Sequence, residues 1–156
     1  MSRWLLALLL HAAAAASAEP PSYHVMMLLY RGCEEACRGF QDHFGRQQVR
    51  ARFTLRDADQ DARRIPGFVA EARRLRPDLV VAWGTTVALE TVGQWDTVDR
   101  SRHIADIPVV FMAVSDPLQS RLVPTLAGSG RNLAGTLYLL PVAEQLQAAR
   151  AYMEFR

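Results

Sequence analysis

The chain has 156 residues with a formal net charge of +2 at neutral pH, and its 18 basic residues are all arginine. These arginines are scattered among 16 acidic residues, so the chain lacks the concentrated positive surface by which nucleic-acid-binding proteins bind phosphates. Half of the residues are hydrophobic, which is sufficient for one domain with its own core.

The first 18 residues have the layout of a secretory signal peptide. Arg3 supplies a positive start, Trp4–Ala16 is an apolar segment, and small residues precede a cleavage point after Ala18. The apolar segment is shorter than the roughly 20 residues that a transmembrane helix needs. No cysteine follows the cleavage point as in bacterial lipid-anchored proteins. We therefore predict export to the periplasm and a mature chain that begins at Glu19.

Segments of strand and helix character alternate along the mature chain. The predicted strands are Tyr23–Tyr30, Val49–Leu55, Asp78–Trp83, Ile107–Val114 and Leu133–Leu139. The predicted helices are Cys33–Arg46, Pro66–Leu75, Val87–Trp95, Leu118–Leu126 and a last one that begins at Pro141. The short connections indicate βαβ units, so we predict an α/β fold: a three-layer open parallel sheet with flanking helices. A flavodoxin-like strand order of 2-1-3-4-5 is expected.

The fourth strand leads directly into a polar turn. Ile107–Val114 is apolar without alternation, which is typical of a strand buried on both faces. Ser115 and Asp116 then precede Pro117, a pattern typical of a helix start. This places Ser115 and Asp116 at the carboxyl edge of the sheet, where open α/β folds bind their ligands.

Three such turns are expected to meet at this edge, beginning at Arg31, Gly84 and Ser115. Thr85 and Thr86 offer hydroxyl and backbone N–H groups to an anion at a helix N-terminus. The carboxylate of Asp116 could accept hydrogen bonds from a ligand ammonium group. The alternative is that Thr85, Ser115 and Asp116 only cap helices.

Cys33 and Cys37 are the two cysteines of the chain. In an exported protein a disulfide between them is one interpretation, although a bridge at helical spacing is geometrically tight. A second interpretation is that both pack as small apolar residues. A metal site with His43 is disfavoured because structural zinc usually needs four ligands, so no metal site is predicted.

The motifs of common enzyme classes are absent from the sequence. There is no Gly-x-Ser-x-Gly, no phosphate-binding loop, no Gly-x-Gly-x-x-Gly and no His-Glu-x-x-His. The spacing from Cys33 to Cys37 is one residue longer than that of thiol redox proteins. A receiver domain needs acidic residues after its first strand, where this chain has Arg31 and Gly32. We therefore expect a protein that is not an enzyme and needs no cofactor.

Five segments, taken together, resemble a known family: YRGCEEACRGFQDHF (30–44), DLVVAWGTT (78–86), IPVVFMAVSDPLQSRLV (107–123), GRNLAGT (130–136) and PVAEQLQ (141–147). They are similar to the periplasmic substrate-binding proteins of ABC transporters, in particular the tryptophan- and tyrosine-binding group. The resemblance implies a type I periplasmic-binding-protein fold, in which two α/β lobes close over a small solute. The ligand contacts that it implies are Gly84, Thr85, Thr86, Ser115, Asp116 and, less directly, Arg31.

The resemblance also implies a function and a division of the chain. The function is the binding of a small amino-acid-like solute, with aromatic amino acids among the candidates, for an ABC permease in the membrane. Residues 1–18 would be the signal peptide, 19–139 the N-terminal lobe and 140–156 the start of a hinge and a truncated second lobe. The alternatives are a truncated, non-binding remnant and a periplasmic sensor-type domain. Self-association through the unpaired lobe surface is also expected.

Overall fold

The computed structural model describes residues 22–138 and 142–150. The strands are β1 (Tyr23–Leu29), β2 (Ala51–Asp57), β3 (Leu79–Trp83), β4 (Val109–Val114) and β5 (Leu133–Leu137), and the helices are α1 (Glu35–Arg46), α2 (Ile65–Leu75), α3 (Thr85–Val92) and α4 (Val142–Arg150). The predicted signal peptide with its cleavage after Ala18, residue 139 at the end of the predicted lobe, and residues 140–141 and 151–156 of the predicted hinge and second lobe lie outside the described residues.

The strands form one parallel sheet in the order β2-β1-β3-β4-β5. The predicted α/β class and strand order are therefore confirmed. β1 and β3 are central strands, and the apolar runs Val25–Leu29 and Leu79–Trp83 that form most of them are largely buried on both faces. β2 is an edge strand, and its alternation of apolar and polar residues corresponds to a strand that is only half-buried.

Two apolar layers cover the two faces of the sheet. On one face, α2 and α3 pack on the side chains of Met26, Leu28, Val80 and Ala82. On the other face, α1 packs on Val25, Met27 and Val81 through its own apolar stripe. The rings of Phe40, Phe44 and Phe53 are in mutual contact there, with centroids 5.3–6.5 Å apart. Within the described residues, no helix is long and apolar enough to cross a membrane.

The predicted helix over Leu118–Leu126 is wrong, because this segment consists of turns. The backbone N–H groups of Leu122 and Val123 both donate to the carbonyl oxygen of Pro117, at 2.8 and 3.1 Å. Arg121 has a left-handed conformation with φ of 58°, which ends any helical run, and Pro124 has no N–H to continue one. The burial of Leu122 and Val123 in the core beside α3 takes precedence over a local helix.

Several element ends differ from the prediction for local reasons. α3 ends at Val92 rather than Trp95, because Gly93 leaves the helix with a φ of 69°. α1 begins at Glu35, so Cys33 lies in the preceding loop rather than in the helix. β2 extends to Asp57, because it pairs with β1 as far as Leu29.

Candidate functional site

The three predicted turns lie at the carboxyl edge of the sheet. Arg31 follows β1, Gly84 follows β3 and Ser115 follows β4, and these three strands are neighbours. The chain leaves β1 towards α1 on one face and leaves β3 towards α3 on the other. A crevice therefore opens between β1 and β3, the kind of position at which open α/β sheets bind ligands.

The structure brings the turns after β3 and β4 together. Gly84 has a φ of 98°, and its N–H donates to the carbonyl oxygen of Met112 at 2.8 Å. The hydroxyl oxygen of Thr85 lies 3.5 Å from the backbone nitrogen of Ser115, which donates to it. Gly84 is the N-cap of α3 and no side chain caps this helix, so the interpretation of Thr85 as a cap is wrong. The side chain of Thr86 is exposed on the first turn of α3.

Asp116 is engaged with its own turn. Its Oδ1 atom accepts hydrogen bonds from the backbone N–H groups of Leu118 and Gln119, at 3.0 and 2.9 Å. The hydroxyl of Ser120 donates to the backbone carbonyl of Asp116 at 2.6 Å. One carboxylate oxygen therefore holds the loop, as the capping alternative expects, although the capped segment is a turn rather than a helix.

Arg31 lies at the same edge but is paired with its own loop. Its Nε donates to the carboxylate of Glu34 at 3.1 Å, and both side chains are about two-thirds exposed (68 and 61%). Such an exposed pair contributes little to stability. No hydrogen bond or ion pair in the described structure joins Arg31 to Thr85 or Asp116.

A disulfide joins Cys33 to Cys37, with their Cα atoms 5.2 Å apart. Because Cys33 precedes α1 and Cys37 lies in its first turn, the bridge ties the loop after β1 to the helix. The side chain of Gln41 donates to Cys33 Sγ at 3.3 Å, and the guanidinium of Arg38 donates to the Cys33 carbonyl at 3.0 Å. Among the described residues, no three His, Cys, Asp or Glu side chains are placed to hold a metal ion.

Two apolar side chains at this edge were not predicted as part of the site. Trp83 and Met112 are the partners at the end of the β3–β4 pairing, and both are half-buried on the face that α1 partly covers. They form an apolar surface next to the polar Thr85 and Ser115. The sequence did indicate their place, because Trp83 immediately precedes the turn at Gly84 and Met112 lies three residues before Ser115.

A groove of about 410 Å³ runs beside β5, and none of the six predicted ligand-binding residues lines it.

This fold and this edge can be compared with known proteins. The family model of the ABC transporter substrate-binding proteins matches residues 27–152. The chain belongs to this family. The match includes all three turns of the candidate site. A search of the curated proteins finds no match to the chain.

Solved structures with the same fold include substrate-binding proteins. A conserved domain protein from Vibrio cholerae O1 biovar El Tor is 20% identical, with a TM-score of 0.69 over 82% of this chain. The ligand-free, open structure of a substrate-binding protein with adhesive properties from Clostridium difficile is 19% identical, with a TM-score of 0.68 over 83%. A Streptococcus pneumoniae ABC domain in complex with L-Trp is 21% identical, with a TM-score of 0.66 over 81%.

The chain spans less than half the length of these structures, between 42 and 43% of each. At identities near 20% the likeness shows the fold alone. The five-stranded sheet and its helices thus have the same fold as one part of each of these longer chains.

Proposed function

We propose that this member of the ABC substrate-binding family binds a small amino-acid-like solute at the carboxyl edge of its sheet and delivers it to an ABC permease. The observation that carries the proposal is the approach of the Thr85 hydroxyl to the Ser115 backbone, 3.5 Å away, beside the crevice between β1 and β3. The complex of the Streptococcus pneumoniae relative with L-Trp makes an aromatic amino acid the first ligand to test.

The groups at the ends of β3 and β4 each have a role in the proposed site. The turn of Gly84, Thr85 and Thr86 would hold the ligand carboxylate, because hydroxyl groups and free N–H groups at the start of α3 favour an anion. The second carboxylate oxygen of Asp116 would accept from the ligand ammonium group. Trp83 and Met112 would contact the apolar part of the ligand.

In the proposed function, the protein binds its solute and does not convert it chemically. Residues 19–139 would form the N-terminal lobe and 140–156 the start of the connection to a second lobe, which is how the family resemblance divides the chain. Periplasmic localisation after removal of residues 1–18 belongs to the same proposal, and a disulfide such as Cys33–Cys37 is stable in that compartment.

The test is an NMR titration of the chain with L-tryptophan, L-tyrosine and L-leucine. A single lobe leaves much of a ligand in contact with water, so we expect binding in about the millimolar range. The amide signals of Gly84, Thr85, Thr86 and Ser115 should shift most. Signals that shift evenly over the surface, or none that shift at all, would favour a non-binding remnant.

Substitutions then separate ligand contacts from structural roles. Thr85→Val and Asp116→Asn should each weaken binding about tenfold, the loss expected for one charge-assisted hydrogen bond. Thr97→Val, on an exposed turn after α3, is the matched control and should bind as the parent does. If the site variants lower only the melting temperature, they have structural roles and are not ligand contacts.

We also propose that the chain self-associates. Leu126, Tyr138 and Val142 are 63, 73 and 69% exposed, and large exposed apolar side chains favour association. Sedimentation velocity over a range of concentrations should show a species heavier than the monomer. A monomer at every concentration contradicts this proposal.

A further inference from the structure

The end of β4, just before the candidate site, contains a bulge. Between the pairs Phe111↔Gly135 and Val114↔Leu137, β4 advances by three residues while β5 advances by two. Within this step Ala113 has a φ of 55°, in the left-handed region that residues with a Cβ rarely adopt. β4 therefore carries one extra residue in a strained conformation.

The bulge reverses which face each later residue occupies. In a regular strand, residues 111 and 114 would point to opposite faces of the sheet. Here Phe111 and Val114 are both buried in the core layer under α2 and α3. Since one extra residue moves all later side chains to the other face, the placement of Ser115 and Asp116 depends on the conformation of Ala113.

Both neighbouring segments hold the bulge in place. On the β3 side, the Gly84 N–H donates to the carbonyl of Met112 at 2.8 Å, one residue before the bulge. On the β5 side, the Tyr138 N–H donates to the carbonyl of Val114 at 2.8 Å, one residue after it. Ala113 thus lies between two residues, Met112 and Val114, whose carbonyl groups are hydrogen-bonded to neighbouring segments. The bond to Met112 comes from Gly84, in the same turn as Thr85.

We infer that Ala113 is a positioning residue: its left-handed bulge places the Ser115 backbone and Asp116 against the Thr85 turn. The ligand-binding part of this inference rests on the proposed function. The structural part, the alignment of Ser115 with Thr85, can be tested without any ligand.

The first test is the sign of the stability change in Ala113→Gly. Glycine adopts left-handed conformations without steric cost, so the melting temperature should rise by about 3 °C. In an extended strand the same substitution lowers stability, because glycine loses more conformational entropy on folding than alanine does. A fall in the melting temperature would therefore overturn the inference, and this variant is expected to fold.

The second test is Ala113→Val, because a β-branched residue is strongly disfavoured in the left-handed region. The matched control is Gln48→Val. Gln48 has nearly the same φ, 56°, but lies between α1 and β2 at the opposite edge of the sheet. In ligand-free NMR spectra, Ala113→Val should shift the Ser115 and Thr85 amide signals, and Gln48→Val should leave them in place. Unchanged signals in Ala113→Val, or equal shifts in both variants, would overturn the inference.

Binding supplies a third readout that separates the two proposals. If the parent chain binds L-tryptophan, Ala113→Gly should retain its affinity and Ala113→Val should lose about tenfold, while Gln48→Val binds as the parent does. Equal affinities of Ala113→Val and the parent would overturn the positioning role. If the parent does not bind L-tryptophan, the choice of ligand in the proposed function fails, and the two ligand-free tests still decide the role of Ala113.

Discussion

Arg131 offers the sharpest test of how this lobe is held together. Its guanidinium donates to the carbonyl oxygens of Val92 and Leu122, each at 2.8 Å, and to that of Gly93 at 3.3 Å. Val92 and Gly93 end α3, so Arg131 joins a cation to the negative end of the helix dipole and to the turn segment after β4. We predict that Arg131→Met strongly destabilises the fold.

The magnitude follows from the three contacts. Each of the two short bonds from a charged donor contributes about 1.5 kcal/mol, and the interaction with the helix end about 0.5 kcal/mol. Val92 and Leu122 are buried, so their carbonyl groups would lose partners that water cannot readily replace. Burial lowers the pKa of the Arg131 guanidinium, and methionine avoids that desolvation cost. We expect a net loss of about 3 kcal/mol, or a melting temperature about 12 °C lower.

Urea denaturation followed by circular dichroism measures the loss. Arg131→Lys should be intermediate, because an ammonium group keeps the charge but cannot span three carbonyl groups as a guanidinium fork does. Arg46→Met, at an exposed position of α1, is the control and should change the free energy of unfolding by less than about 0.5 kcal/mol. A loss below about 1 kcal/mol for Arg131→Met would refute the reasoning.

Three further predictions concern stability. Gly93→Ala should cost about 2 kcal/mol or more in the free energy of unfolding, because position 93 has a φ of 69° and a Cβ there would meet the ring of His103; a urea midpoint equal to the parent's would contradict this. Replacing Cys33 and Cys37 by serine should cost about 2 kcal/mol, the closure entropy of so short a loop, and dithiothreitol should lower the parent's midpoint but not the variant's. Burial, and then the charge of Arg52, lower the pKa of His24 from its ordinary 6.5, and Asp78 opposes them with a smaller effect. Neutral His24 therefore contributes fully to stability above pH 6.5, and this contribution is lost as the pH falls below 6.5, because the unfolded chain binds the proton more readily. The melting temperature should decline less between pH 7 and 5 in His24→Gln than in the parent, and equal declines would contradict the role of His24.

The sheet could be predicted from the sequence because its central strands are unbroken apolar segments. β1, β3 and β4 needed no tertiary information: each is a short, largely apolar run followed by residues that favour a turn. The meeting of Thr85 and Ser115 follows from this topology, because adjacent parallel strands bring their carboxyl ends to one edge. Pattern and topology together were therefore sufficient to bring these two turns to one edge, but they did not indicate that Trp83 and Met112 form an apolar surface beside them.

Features that depend on distant partners could not be predicted. The bonds from Arg131 reach Val92, 39 residues earlier, and nothing in the local sequence indicates them. The segment after Pro117 begins like a helix but becomes a series of turns, because the core buries Leu122 and Val123. Likewise, no local preference places Ala113 in a left-handed bulge; its two hydrogen-bonded neighbouring segments do.

The contact between Gly135 and Phe111 has a consequence for how this lobe varies among species. A Cβ at position 135 would overlap both the carbonyl oxygen and the ring of Phe111, so no other residue fits while that strand pair keeps its spacing. Homologous sequences should therefore keep glycine at this position even where the exposed residues around it have diverged. Where glycine has been replaced, the residue equivalent to Phe111 should have changed in the same lineage, which would make these two positions a covarying pair.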